Sequence, residues 1–396
     1  MVKDILLLLL GAAVGAVFGT LYPKLELYLR KRYWGSVSKH RSNLLASVDI
    51  RKWIEKYYTE KGKLNQLYCC RLGRFDQRIP VLTVKTWCQR RKLGKIPIIE
   101  IVNTPPQEFS TDMHLLKRRS SMGQRMFNDM ALYPDRVDIS ATNIMIVTRR
   151  CKYFPIASNL IRLEEELFRA VDKSFVRRHR TPIRDRVLSS LEKASQYLLK
   201  PLSIGCATVL RLATNEGDKI LIHRRSSQVI TSSESIAVMP CFGLEPVDVV
   251  AVDQLEKDVL FLNFVKEFCE ELFGIDDLIS MSKHRQGLSS WILQFPEAKM
   301  MFSAFESGSA LANLLGVGID ATNGTLILAI EVYIADKKIT DKISELIVGN
   351  WEVAKPTPDI PVLELVPVTS NKFELWHQAD AFSYPSAFAL SLAFAK

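Results

Sequence analysis

Between Asn263 and Ile275 the chain reads Asn-Phe-Val-Lys-Glu-Phe-Cys-Glu-Glu-Leu-Phe-Gly-Ile. At about 100° per residue, Glu267, Glu270 and Glu271 stand at i, i+3 and i+4 and share one helical face. Phe264, Val265, Phe268 and Leu272 fill the neighbouring face, which can pack on a sheet. Gly274 sits where such a helix would stop in a left-handed cap. Three carboxylates converging on a rigid helix suit a hard divalent cation, because Mg²⁺ and Mn²⁺ prefer oxygen ligands. The same spacing also describes the solvated acidic face of an ordinary surface helix.

Around this stretch the chain divides by charge. Residues 1–200 carry 38 Lys and Arg against 18 Asp and Glu, whereas residues 201–396 carry 15 against 25. A basic half invites anionic lipid or nucleotide phosphate, and a solvated surface accounts for it equally. The seven cysteines are odd in number and form no Cys-x-x-Cys, which excludes a disulfide framework and a zinc ribbon. Ile5 to Tyr22 is an uncharged apolar run of 18 residues, followed by Lys24 and the cluster Arg30-Lys31-Arg32. Its length predicts one transmembrane helix, and the flanking charge puts the C-terminal bulk in the cytoplasm. Within it Gly11, Gly15 and Gly19 recur every fourth residue, a ridge on which membrane helices associate.

The middle of the chain holds no motif. Helices are expected at Val48 to Tyr58, Asn159 to Val171 and Arg186 to Leu199. Strands are expected at Pro80 to Lys85 and Ile96 to Val102, with a hairpin from Val137–Ser140 and Asn143–Thr148. Glu164-Glu165-Glu166 reads as a solvated helix face, and Arg177-Arg178-His179-Arg180 as a basic surface run. From Ser203 the pattern turns to strands. Cys206–Ala213 and Lys219–Arg224 flank a turn, Ser235–Gly243 is a third apolar run, and Val317–Asp320, Thr325–Tyr333 and Pro361–Pro367 follow. Met300–Leu315 is a further apolar stretch, and Ser383–Ala395 a small-residue helix.

Lys266-Glu267-Phe268-Cys269-Glu270-Glu271, followed by Gly274, resembles the Arg-Glu-apolar-any-Glu-Glu-any-Gly core of the Nudix box. The family spacing puts Asp258 at the first Glu of the box and Val252 at its first Gly, and the helix would begin near Asp253. His223-Arg224-Arg225 and Met239–Gly243 fill the places of the basic pair and the Pro/Gly-rich strand before the box. Lys266 replaces Arg, Asp258 replaces Glu, Val252 replaces Gly, and the closing Gly comes one residue late. These departures favour the scaffold over hydrolysis. With the apolar N-terminus, the pattern is similar to SMODS-associated Nudix proteins, which accompany cyclic-oligonucleotide synthases in bacterial anti-phage CBASS operons.

The resulting expectation is an α+β or α/β chain in three parts. Residues 1–35 are a single transmembrane helix with its basic juxtamembrane stretch, 36–200 a basic mixed α/β segment, and 201–396 a Nudix-like α/β/α sandwich. The resemblance implies a single-pass protein of the bacterial inner membrane whose Nudix-like domain senses a cyclic oligonucleotide. Arg211, His223, Arg224, Arg225 and Lys266 would meet its phosphates. Membrane lipid and a homo-oligomer formed through Gly11, Gly15 and Gly19 would complete the effector, with no direct DNA contact expected. The alternative is a membrane-bound hydrolase of nucleoside diphosphate derivatives. In it Asp258, Glu267, Glu270 and Glu271 hold Mg²⁺, with Glu270 and Glu271 catalytic.

Overall fold

The computed structural model describes residues 48–93, 98–140, 144–171, 180–196, 199–229, 232–246, 259–275, 295–347, 349, 353 and 363–395. Helix α1 (Val48–Glu60) forms because Ile50, Ile54 and Tyr58 recur every fourth residue, and all three are fully buried. The hairpin β1 (Leu67–Leu72) and β2 (Phe75–Leu82) turns at Gly73, whose φ of +69° lies in the left-handed region. After β3 (Arg91–Lys92) and β4 (Ile99–Ile101) come α2 (Met113–Ser121) and the hairpin β5 (Met130–Ile139) and β6 (Ile144–Lys152). Helix α3 (Tyr153–Val171) and the short α4 (Pro182–Val187) and α5 (Leu191–Ala194) close this part.

Next come β7 (Ile204–Thr214), β8 (Gly217–Arg224), β9 (Ile236–Val238) and β10 (Cys241–Gly243). Helix α6 (Val259–Glu267) continues as a π-helical turn over Phe268–Leu272. Helix α7 (Pro296–Glu306), β11 (Ala310–Asp320), β12 (Leu326–Ile334), α8 (Lys337–Leu346), β13 (Leu363–Pro367), α9 (Lys372–Gln378) and α10 (Tyr384–Phe394) complete the chain.

One ten-stranded sheet runs β1-β2-β11-β12-β7-β8-β13, with β3 on β11, β10 on β7 and β9 on β8. A separate sheet runs β4-β6-β5. Within the large sheet β12 and β7 pair in parallel from Leu326↔Ile204 to Ile334↔Leu212, and the other pairings are antiparallel. Both central strands are covered on two faces, which is why they read as nearly continuous apolar runs. β7 and β8 pair only as far as Arg211↔Ile220. Beyond that they part and the sheet curls, with β9 taking the free edge of β8 and β10 that of β7.

Side chains alternate across β7. Cys206, Thr208, Leu210 and Leu212 share one face, and Gly205, Ala207, Val209 and Arg211 the other. Helix α10 lies over the second face, where Gly316 and Gly318 of β11 let it approach. A Cβ on Gly318 would stand 2.6 Å from Val81 Cγ1 and 3.3 Å from the Phe388 ring.

Several expectations are corrected. No helix among the described residues is long and apolar enough to cross a membrane. The longest, α3, has 19 residues but carries Arg162, Glu164, Glu165, Glu166 and Arg169, and the apolar α10 has only 11. The run Ile5 to Tyr22 and the ridge Gly11, Gly15 and Gly19 lie outside the described residues. The described residues thus offer no helix to carry the expected transmembrane span and inner-membrane placement, and their fold is a mixed α/β structure around a curled sheet. Arg186 to Leu199, expected as one helix, contributes instead to the short α4 and α5. Met300–Leu315 is split between the end of α7 and the start of β11.

The Glu164-Glu165-Glu166 run is not a solvated face. Glu164 accepts from Arg119 Nη2 at 2.8 Å, with both side chains buried, and Glu165 lies 3.9 Å from Arg119 Nε. Glu166 receives the backbone amides of Ile183 and Arg184 at 2.8 Å, capping the N-terminus of α4. The segment 177–179 lies outside the described residues.

Candidate functional site

Helix α6 begins with a fully apolar turn, Val259-Leu-Phe-Leu262, and is buried along most of its length. Phe261 meets Phe302 and Phe305 of α7 edge-on, at 5.3 and 4.7 Å between ring centres. Phe264 and Phe268 extend this aromatic seam, so the apolar face assigned from spacing is a packed one. The π turn over Phe268–Leu272 adds a residue to the helical repeat and re-aims the carboxylates that follow Glu267. Gly274 ends the helix at φ +63°, its amide bonded to Glu270 O at 3.1 Å.

The three box carboxylates do not share one point. Glu271 is buried and accepts the Cys241 amide on both oxygens at 3.2 Å, tying the π turn to β10. Glu267 and Glu270 instead surround the ammonium of Lys266, at 3.0 Å to Glu267 Oε1 and 3.3 Å to Glu270 Oε2. A third carboxylate, Glu245 Oε2, completes the cluster at 3.1 Å. Burial opposes the ammonium, but Glu267, Glu245 and Glu270 outweigh it and hold its pKa well above the ordinary lysine value. Lys266 is therefore a fixed cation inside the box.

Glu245 was not legible as a partner from the sequence, since it lies just past β10 and outside the helix. What places it is Asn263, which is fully buried. Its Oδ1 accepts the Glu245 amide at 2.9 Å, and its Nδ2 donates to Glu245 O at 3.0 Å and to Val259 O at 2.8 Å. The signal was available: Asn263, Lys266, Glu267 and Glu270 fall at i, i+3, i+4 and i+7 of one helical face.

The other expected residues fall elsewhere. Arg211 lies on the face of β7 opposite Cys206, the residue whose thiol feels the Glu267 charge. It donates to Asp218 at 2.8 Å, stands 3.9 Å from Glu331 and lies over the Tyr333 ring at 5.4 Å. Arg224 pairs with Glu234 at 3.1 Å. Arg225 is half-buried, and its backbone bridges to Val353. His223 is buried on β8 between β9 and β13, and neither ring nitrogen has a hydrogen-bond partner. Burial, helped by the nearby Arg225 charge, lowers its pKa to about 3, so the ring is neutral at physiological pH. Of the five basic side chains, Lys266 is the one held at 3.0 and 3.3 Å by Glu267 and Glu270. Asp258 lies outside the described residues.

Magnesium, implied by the box resemblance, is poorly matched to these residues. No group of three or more His, Cys, Asp or Glu among the described residues is arranged to hold a metal. The oxygens around Lys266 are spaced for an ammonium at 3.0–3.3 Å, whereas Mg²⁺ needs them at about 2.1 Å.

No protein-family model matches this chain, and no curated protein matches it. A solved structure, a NUDIX hydrolase from Alicyclobacillus acidocaldarius, aligns with 48% of this chain and 91% of its own at 14% identity and a TM-score of 0.26. At that TM-score the likeness carries no argument about this chain.

Proposed function

We propose that the C-terminal part of this chain is a Nudix-like module that binds a nucleotide without hydrolysing it. The observation that carries the reading is the engagement of the box carboxylates. Glu267 and Glu270 hold the Lys266 ammonium, and Glu271 holds the Cys241 amide. A hydrolase of this type would need those oxygens on a metal that activates water. The ligand class we propose is a cyclic oligonucleotide, in keeping with the resemblance of the box stretch to sensors in anti-phage signalling. Arg224, the last residue of β8, and Arg225, which follows it, are the side chains we assign to its phosphates. A phosphate at Arg224 would compete with Glu234, which suits a reversible sensor.

The test titrates the full chain with cyclic di- and trinucleotides and analyses the same samples, with and without Mg²⁺, for linear products. Saturable binding with intact ligand is expected, weakened at least about tenfold by Arg224→Ala with Arg225→Ala. Turnover abolished by Glu270→Gln would make the protein an enzyme and overturn the reading. An absence of both binding and turnover would leave the fold without its proposed ligand.

A further inference from the structure

We propose that the Lys266 ammonium is the built-in cation of the box. It stands between Glu245, Glu267 and Glu270, the last two of which the resemblance assigns to a divalent metal, and it closes the site to metals. This deepens the non-hydrolytic reading through the same cluster, but it does not depend on which ligand the module binds.

The geometry argues it in three steps. The Lys266 side chain is 7% exposed, and its Nζ lies 3.0, 3.1 and 3.3 Å from three carboxylates. Those carboxylates come from independent supports: Glu267 and Glu270 from the helix, and Glu245 from the β10 exit that Asn263 clamps by two hydrogen bonds. Glu267 and Glu270 are largely buried and Glu245 is partly exposed; three carboxylates gathered this closely repel one another unless a cation joins them, and the lysine supplies it from within the chain. An ammonium at about 3 Å and a divalent ion at about 2.1 Å cannot share the point, so a metal enters only if Lys266 leaves. With the ammonium removed, the oxygens need to close by about 1 Å to ligate a small divalent cation.

The probe is Mn²⁺ alone, followed by the loss of its free electron paramagnetic resonance signal and by thermal unfolding of the full chain. Wild type is expected to leave the signal unchanged and to unfold at the same temperature in EDTA and in millimolar Mn²⁺. Lys266→Ala is expected to bind one Mn²⁺. At about a hundredfold excess over Kd its unfolding temperature should rise by about 4 °C. Adding Glu267→Gln and Glu270→Gln to Lys266→Ala should abolish that rise. A folded Lys266→Ala that binds no Mn²⁺ overturns the proposal, as does one tight Mn²⁺ site in the wild type that Glu270→Gln removes. Should Lys266→Ala not fold, Lys266→Met and Lys266→Met with Glu270→Gln decide. The double variant, with one carboxylate fewer to repel, must be the more stable. Equal or lower stability overturns the cation role. Since none of these measurements uses a nucleotide, they fail or succeed separately from the sensor reading.

Discussion

Replacing His223 by Leu should reverse part of the pH dependence of stability. His223 is 1% exposed, its two ring nitrogens have no hydrogen-bond partner, and its pKa is lowered from 6.5 to about 3. The unfolded chain takes up a proton near pH 6.5 that the folded chain refuses until about pH 3. This group's contribution is therefore intact above pH 6.5 and is lost as the pH falls towards 3. At about 1.36 kcal/mol per unit, the loss between pH 7 and pH 4 comes to about 3 kcal/mol.

Asp320 works in the opposite sense. Burial, against the hydrogen bonds from Thr322, raises its pKa from 3.8 to about 6. Its folded pKa lies above the unfolded one, so its contribution is present at low pH and is lost as the pH rises through 6. Between pH 7 and pH 4 it returns about 2 kcal/mol, and the two groups largely cancel in the wild type. His223→Leu leaves Asp320 uncompensated. Urea melts at pH 7, 6, 5 and 4 should show the variant gaining about 3 kcal/mol on the wild type across that range. At pH 7 it should be neutral or more stable by about 1 kcal/mol, because two unpaired buried polar atoms are removed. Asp320→Asn should show the mirror trend, losing about 2 kcal/mol relative to wild type from pH 7 to pH 4. A His223→Leu difference constant with pH to within about 0.5 kcal/mol would refute the reasoning, because the ring would then titrate as it does when unfolded.

Gly318→Ala should cost about 1–3 kcal/mol in urea unfolding, since its Cβ would stand 2.6 Å from Val81 Cγ1 inside a filled core. A neutral result would mean that the Val81 side chain on β2 can move aside and Phe388 of α10 can give by a few tenths of an ångström. Arg119→Met should cost about 3–5 kcal/mol by leaving Glu164 and Glu165 buried without it, and Glu164→Gln in that background should recover part of the loss. Cys69 is exposed, whereas burial raises the thiols of Cys70 and Cys269 to about 12. Peptide mapping after brief maleimide treatment should find Cys69 labelled and the other two spared, and equal labelling would contradict their burial.

The sequence carried local pattern well and long-range pairing poorly. Val48 to Tyr58 and the tip of the hairpin after Val137 were legible from their local pattern, and both central strands and the terminal helix from unbroken apolar runs. The box helix and its Gly274 stop were legible from local pattern too. Partners distant in the chain were not. Glu164 and Glu165 look solvated until Arg119, some 45 residues earlier, is folded against them. The box carboxylates look convergent until a π turn, which no residue-level period announces, sends Glu271 to the Cys241 amide. Strands β1 and β2 could not be placed on β11, because Ile319↔Leu82 is a contact across more than half the chain.

Most buried polar side chains among the described residues reach a partner, and two that do not lie on the same face of the sheet. Lys266, Arg119 and Asn263 each reach a partner, and Arg184, fully buried, donates to the carbonyls of Ala321, Thr322 and Leu163. Thr208 Oγ1 and the His223 ring lack partners there, as Thr340 Oγ1 does on α8. Alternation puts Thr208 with Cys206, and the Arg211↔Ile220 pairing puts His223 on that same face, the one that feels Glu267. They flank the place where β9 and β10 force β7 and β8 apart. Continued pairing of β7 with β8 would have set residues 208 and 223 opposite each other; the insertion separates them. Stability is thus given up where the sheet opens beside the box, and there the local rules of polar satisfaction and strand pairing both yield to the same inserted segment.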